Sequence, residues 1–510
     1  MNKRFKTKTL TLMIAVITVI TCLASCGGEK NDGTTSLTTG ASGVTSTSAG
    51  TTGSAGPDHG DDPAKNIVFD EFDPGDGNIF VMSFDLSVTG AGNASLFASH
   101  YVPDLFTVQK ADKEDIAALS SSISGYAYFT SSDFNADGSA NAIFFKTSKY
   151  DVLTSKVTGL AADPTDREIK GAGMVYALLY SASDGSCVAL FNTALESGKE
   201  KDQIFYMYSK YSCYISYYPV IVTGAINAPE GSDEYRTLTE GGKLTFDQRV
   251  EGSVILSSST EKVEAKALSA DTVDFSVPAA SLKAVKTNAT LDGKKKLIAL
   301  TFDDGPTSAD GYTNKVLSIL DEHNAKATFF VLGQQLTPSN PKQRALLKAA
   351  FENGHEIGNH TYGHTLHYHE FENDDKLNED LAKADELIAD ITGGMKATLL
   401  RPPGGIVKRA VSTDRPIIDW SIDTNDWNSA SYSPTDVYNT IIKKAENGSI
   451  VLMHDVKKNS PTMLSDLLDW LDANGFQCVT VSELMEFSGV SMIAGNIYLT
   501  NAETGRRTFG

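Results

Sequence analysis

Apolar side chains recur at every second position from Phe80 to Val88. Phe80, Met82, Phe84, Leu86 and Val88 alternate with Val81, Ser83, Asp85 and Ser87. That period predicts a β-strand with one face on a core. Further strand-like runs lie at residues 125–130, 142–145, 174–180, 188–191 and 204–208, and helical periodicity is weak between them. Residues 66–288 therefore read as a β-rich accessory domain of unknown function, with two packed sheets and no visible repeat. Beyond residue 294 the pattern changes. Strands at 297–302, 327–332, 399–400, 417–422, 450–453 and 476–481 alternate with helices at 312–323, 341–353, 377–391, 434–447 and 461–474. Gly354, Gly393, Gly448 and Gly475 end four of these helices, glycine being the residue that best accepts a left-handed cap. Alternation with short loops predicts an α/β fold, a parallel sheet or barrel, over residues 289–488, with a tail at 489–510.

Composition adds the non-globular parts. The chain has 510 residues, too many for one ordinary domain, and 41% are hydrophobic, enough for more than one core. A net charge of -20 excludes nucleic acid as a partner, because phosphate binding needs a basic face. Lys3, Arg4, Lys6 and Lys8 precede an apolar run at residues 10–24 that is too short to span a bilayer comfortably. Residues 1–25 thus form a signal peptide. Its end, Leu23-Ala24-Ser25-Cys26, resembles a bacterial lipobox, which implies lipidation of Cys26 and a secreted protein anchored to the outer face of the membrane. The Gly, Ser and Thr-rich stretch within residues 26–65 is a flexible tether reaching on the order of 30 Å. Of the five cysteines, Cys187 and Cys213 are the pair able to bridge, and no Cys-x-x-Cys metal site exists.

The chemistry lies in five polar clusters that follow strands. In Asp303-Asp304-Gly305-Pro306, adjacent carboxylates at a strand end point to opposite sides, so one can bind a metal while the other stays free as a base. A β-turn explains the same residues. In His360-Thr361-Tyr362-Gly363-His364, two histidines at i and i+4 share one face of a helical turn and suit a single metal. His355, His367 and His369 are left as structural or exposed. Arg401-Pro402-Pro403-Gly404-Gly405 fixes a backbone able to aim an N–H at an oxyanion, with Arg401 free to hold a carboxylate. Asp423-Thr424-Asn425-Asp426-Trp427 and Leu452-Met453-His454 complete the set. Each has a plain packing explanation alone; arriving together at strand ends they do not.

In order and wording these motifs resemble the polysaccharide deacetylase family, also called the NodB-homology or carbohydrate esterase family 4 domain. The resemblance covers residues 294–487 and implies a distorted (β/α) barrel of about seven strands. It implies that Asp304, His360 and His364 hold one divalent metal, zinc, with cobalt or nickel as alternatives. Asp303 matches the catalytic base and Arg401 the arginine that tethers it. His454 matches the general acid and Asp426 the carboxylate that tunes it. The Gly404 N–H falls in the oxyanion hole, while Trp427 and Leu452 wall the acetyl pocket. Gly404 stands where the family often has an aromatic residue. The stretch Asn428-Ser429-Ala430 lacks an arginine seen in some relatives. The connection from Arg401 to Asp426 is short, which predicts a reduced helix near residues 406–412. The implied activity is removal of N-acetyl groups from a cell-surface polysaccharide: peptidoglycan N-acetylglucosamine first, with chitin-like glycans or xylan as other substrates. An O-acetyl xylan esterase and a non-catalytic glycan-binding lipoprotein are the alternatives.

Two lesser signals remain. Asp133, Asn135 and Asp137 alternate like the start of a calcium loop, but Phe144 stands where an EF-hand needs Glu, and a strand turn fits as well. Tyr206, Tyr208, Tyr211, Tyr214, Tyr217 and Tyr218 could form a sugar-stacking surface or simply pack.

Overall fold

The computed structural model describes residues 67–131, 138–163, 168–250, 253–259, 263–273, 275–284, 294–365, 373–405 and 412–501. The lipobox with Cys26, the tether, the candidate calcium loop at Asp133, Asn135 and Asp137, His367 and His369, and residues 406–411 lie outside them.

The front part is built from two six-stranded mixed sheets. The first contains β1 (Asn78–Asp85), β2 (Leu105–Ala111), β3 (Tyr126–Thr130) and β4 (Ala140–Lys146). The second contains β5 (Asp151–Asp163), β6 (Glu168–Tyr180), β7 (Cys187–Ala194), β8 (Val220–Ala225), β9 (Thr245–Val250) and β10 (Ser253–Ser257). β11 (Glu264–Leu268) and β12 (Val277–Lys283) return to the first. Strand order is β11-β12-β1-β2-β4-β3 in one sheet and β5-β6-β7-β8-β10-β9 in the other. In both, the third and fourth strands are parallel and every other neighbouring pair is antiparallel. The region is therefore a structural repeat, with one hairpin of the first copy supplied by chain that follows the second.

The two sheets pack on a shared core that includes Val81, Leu105, Ile143, Phe145, Val175, Leu190 and Ile255. Helices α1 (Leu86–Thr89), α2 (Ala91–Tyr101) and α3 (Lys113–Ser122) accompany the first sheet, and α2 and α3 cover its outer face. α4 (Glu200–Ile215) covers the second, and the short α5 (Asp233–Arg236) follows β8. β1 thus lies between two cores and is buried on both faces, and the chain turns helical at Leu86 rather than continuing as strand. The run at 204–208, expected as strand, lies inside α4. Its apolar residues point at a β-sheet, and tertiary packing overrode the aromatic strand preference. Tyr211, Tyr214, Tyr217 and Tyr218 are buried in that contact, so they pack rather than present a sugar surface. Cys187 and Cys213 are both buried there, and both are free.

The second part follows the predicted alternation. β13 (Lys296–Asp303), α6 (Tyr312–Glu322), β14 (Thr328–Val331), α7 (Pro341–Glu352), β15 (Glu356–Asn359), α8 (Asp374–Ile391), β16 (Ile417–Ile418), β17 (Ile422–Asp423), α9 (Pro434–Lys444), β18 (Ser449–His454), α10 (Asn459–Ala473), β19 (Phe476–Val479), α11 (Val481–Phe487) and β20 (Ile497–Tyr498) run in order. All four helix-stopping glycines have positive φ. The parallel path is β15-β14-β13-β18-β17, with β19 beside the start of β13 and β16 paired to β20. Single bridges at Leu400 link β15 to β16. The run at 417–422 is broken at Asp419–Ser421, and among the described residues no pairing joins β16 to β17.

Alternation along β13 sorts its side chains. Ile298, Leu300 and Phe302 meet the helices α6, α9 and α10. Ala299 joins Phe330, Trp420, Ile450, Leu484 and Met485 on the other face, the face that Thr301 and Asp303 share with it. Helix α11 closes the base of that inner face and docks on the front part through two buried carboxylates. Glu486 Oε1 accepts from Lys156 Nζ at 2.6 Å, Tyr214 OH at 2.9 Å and Tyr176 OH at 3.0 Å. Glu483 Oε2 accepts from Tyr217 OH at 3.1 Å.

Gly358 in β15 has no room for a side chain, because a Cβ there would strike the Phe330 ring. Gly358→Ala is expected to destabilise by about 1–3 kcal/mol, the usual cost of overpacking. A thermal melt unchanged from wild type would contradict that packing.

Candidate functional site

The site is assembled at the C-terminal ends of β13, β15 and β18. Arg401, just after the bridge at Leu400, is fully buried. Its Nη1 donates to Asp303 Oδ1 at 2.8 Å and Thr301 Oγ1 at 2.6 Å. Its Nε and Nη2 donate to the carbonyls of Ile418 at 3.1 Å and Asp419 at 3.0 Å. The guanidinium also lies over the Phe330 ring, 4.1 Å from its centroid. A buried guanidinium is tolerable only when its donors are engaged this fully.

The metal-type cluster sits beside it. One ligand atom from each of Asp304, His360 and His364 lies within 4.8 Å of the others. Asp304 Oδ1 is 3.2 Å from His364 Nε2 and 3.5 Å from His360 Nε2. Both imidazoles face this buried oxygen, yet neither makes an aligned hydrogen bond to it. His360 Nδ1 engages the Arg401 carbonyl at 2.8 Å, which leaves Nε2 as the lone-pair nitrogen. Burial alone would raise the Asp304 carboxyl pKa, but the two imidazoles hold it well below the ordinary range. The Asp304 carboxylate beside it pushes the His364 pKa upward. Three converging ligand atoms, one carboxylate oxygen and two imidazole Nε2 atoms, fit a single divalent cation.

Two expectations about this cluster change. The histidines do not share a helical turn; residues 360–365 form a bend, and Thr361 (φ 71°) and His364 (φ 58°) turn the chain so that the rings stand 5.3 Å apart. Nor do the paired carboxylates diverge. Asp304 has φ 73°, and Asp303 Oδ2 also comes within 3.8 Å of His360 Nε2.

His454 ends β18. Its Nδ1 bonds Asp426 Oδ1 at 2.7 Å, and its backbone N–H donates to Asp426 Oδ2 at 2.8 Å. Burial opposes the imidazolium, but the Asp426 hydrogen bond and the charges of Asp426, Asp303 and Asp304 outweigh it and raise the pKa to about 9. Leu452 is buried, and Trp427 is half exposed at 53%. Gly404 sits with φ 69° in the tight turn Pro403–Gly405.

Supporting residues that motif reading passed over complete the site. Ser460 donates to Asp426 Oδ2 at 2.5 Å, and Thr424 Oγ1 to the Leu452 carbonyl at 2.7 Å. Asn359 Oδ1 accepts from the Thr361 N–H at 2.8 Å and Thr361 Oγ1 from the His364 N–H at 3.1 Å. Asp455 is buried beside Gly305. The available signals were position alone: Thr361 lies inside the His360–His364 motif, and Asp455 directly follows His454.

Arg401→Met should destabilise by about 3–5 kcal/mol, because it leaves Asp303 buried without its partner. A melt within 1 kcal/mol of wild type, by the same order-of-magnitude scale, would show the pair to be dispensable.

Among known proteins, the family described as polysaccharide deacetylase matches residues 290–415. The chain is 38% identical over 191 residues to the peptidoglycan-N-acetylglucosamine deacetylase PgdA of Listeria monocytogenes, spanning 37% of this chain and 39% of that relative's length. It is 34% identical over 203 residues to a peptidoglycan-N-acetylglucosamine deacetylase of Bacillus cereus, covering 38% of this chain and 90% of that protein. A solved family 4 acetyl xylan esterase from Clostridium thermocellum, in complex with a cobalt ion, is 29% identical with a TM-score of 0.37, covering 40% of this chain and 98% of that one.

Proposed function

The chain belongs to the polysaccharide deacetylase family, and from that membership we propose that it hydrolyses N-acetyl groups on a cell-surface polysaccharide, with peptidoglycan N-acetylglucosamine as substrate. The observation that carries this reading is the convergence of Asp304, His360 and His364 beside the Arg401-held Asp303, with His454 near enough to feel both carboxylates. In this reading the strands form the distorted barrel of the family, and residues 289–488 are its catalytic domain.

Asp304, His360 and His364 would hold one divalent ion, zinc in this reading, with cobalt or nickel as alternatives. Bound there, it supplies Lewis-acid polarisation of the acetyl carbonyl and acidifies a water. Arg401 fixes Asp303 through Oδ1, so Oδ2 is the oxygen assigned to take the proton of the attacking water. The Gly404 N–H is assigned to the carbonyl oxygen as charge develops on it. Asp426 occupies His454 Nδ1, so Nε2 carries the proton delivered to the leaving amine. Leu452 and Trp427 wall the space for the acetyl methyl. An amide leaves poorly without that proton, which is why an acid raised to about 9 suits this bond.

Acetate release from peptidoglycan fragments tests the assignment, with acetylated xylan beside it. Asp303→Asn is expected to lose about 10²–10⁴-fold in rate, the usual contribution of a positioned base; an undiminished rate sinks the mechanism. Faster release from xylan would move the substrate to O-acetyl esters. The acid role has a sign. A raised pKa keeps His454 protonated below about 9, so rate should fall above that pH. Asp426→Asn should move the limb down toward the ordinary 6.5.

The proposed place of work is the outer face of a bacterial membrane, through a lipid on Cys26. The order of basic, apolar and small residues before Cys26 supports it. Metabolic labelling with a fatty acid should mark the wild-type chain and not Cys26→Ala; equal labelling would refute the anchor.

A further inference from the structure

The left-handed conformation of Asp304 needs an external cause. A non-glycine residue at φ 73° is strained and persists only where its surroundings over-determine it. Its carboxylate oxygen Oδ1 lies 3.2 Å from His364 Nε2 but makes no aligned hydrogen bond. The next residue, Gly305, is held instead. Its carbonyl accepts the Leu332 N–H at 3.1 Å. Its other side is covered by Asp455, and a Cβ built on Gly305 would collide with both carboxylate oxygens of Asp455.

Asp455 is itself anchored. It is wholly buried, and its Oδ2 accepts from Thr313 Oγ1 at 2.6 Å. Thr313 Oγ1 in turn accepts the Thr307 N–H at 2.9 Å. A closed circuit therefore runs from the end of β18 through Asp455 to α6, and back to the loop that carries Asp304. Asp455 Oδ1 has no hydrogen-bond partner. Burying a carboxyl with an unpaired oxygen is unfavourable, and an apolar side chain would fill an ordinary core position better.

We propose that Asp455 is a positioning residue: clamped by Thr313 and packed on Gly305, it fixes the backbone that aims Asp304 at the metal position. The same strand end then supplies both the His454 acid and the clamp on a metal ligand. The inference rests on the reading that Asp304, His360 and His364 bind a divalent ion.

Zinc affinity, measured by competition with a chromophoric chelator, tests it in the full chain alongside the metal-free melting midpoint and the KM and kcat of acetate release. Asp455→Ala and Gly305→Ala should each weaken zinc by about 10- to 100-fold, the range for residues that orient a ligand. The kcat at limiting zinc should fall with affinity, and KM should stay within a few-fold. Asp455→Asn keeps the acceptor for Thr313 and the volume on Gly305, so it should hold zinc nearly as well as wild type. Combining Gly305→Ala with Asp455→Ala should cost no more affinity than Asp455→Ala alone, because the collision is gone. Thr313→Val provides an independent break of the circuit should Asp455→Ala fail to fold, and should weaken zinc in the same direction. Lowered melting midpoints with unchanged zinc affinity in Asp455→Ala and Thr313→Val would make Asp455 merely structural and overturn the clamp. A wild-type chain that binds no divalent ion would instead overturn the metal reading beneath it.

Discussion

The buried guanidinium of Arg401 is the interaction on which the site depends. It ties Thr301 and Asp303 of β13 to the carbonyls of Ile418 and Asp419, and its own carbonyl sets the His360 ring. Three separate stretches of chain are thus referenced to one charged group. Such a group adds little net stability, since its desolvation offsets most of the attraction. What it contributes is position: Asp303 and the His360 ring cannot drift independently while each is bonded to the same residue.

Backbone strain is concentrated in the same place. Of nine non-glycine residues with positive φ among those described, Asp304, Thr361, His364 and Asn425 belong to the site. Each carries or aims a polar group that a regular strand end would point elsewhere. The local expense is borne by rigid surroundings: Asn359 on Thr361, Asp423 on the Asn425 N–H, and the packed parallel strands beneath them. The fold's regular core lets a few irregular residues stay irregular.

The front part is joined to the second part by polar burial as well as by apolar packing. Glu483 and Glu486 of α11 receive tyrosine hydroxyls from the second front sheet, from α4 and from Tyr217 just beyond it. Burial pushes the Glu483 carboxyl up to about 7. Burial would also raise Glu486, but Lys210 and Lys156 outweigh it and lower its carboxyl. Satisfied carboxylates of this kind specify one docking arrangement, because any slip leaves them buried without donors.

The sequence by itself determined the alternation after residue 294 and the glycine stops, and it nominated Asp303, Asp304, His360, His364, Arg401, Asp426 and His454 as candidates. These are encoded locally, in periodicity and in side-chain types whose chemistry does not depend on neighbours. Tertiary structure alone decided the rest. Nothing in the Tyr206 to Tyr218 run distinguishes strand from helix until a sheet lies beneath it. The repeat in the front part is invisible in residues because it exists only as a pairing pattern, completed by a hairpin from far along the chain. The bend that brings His360 to His364, and the turn that sets both carboxylates near one imidazole, need left-handed residues that only long-range contacts can hold. Nothing in the sequence beside His454 marks Asp455; only the fold lays it on Gly305. Local sequence chooses the groups; packing between distant segments chooses where each one points.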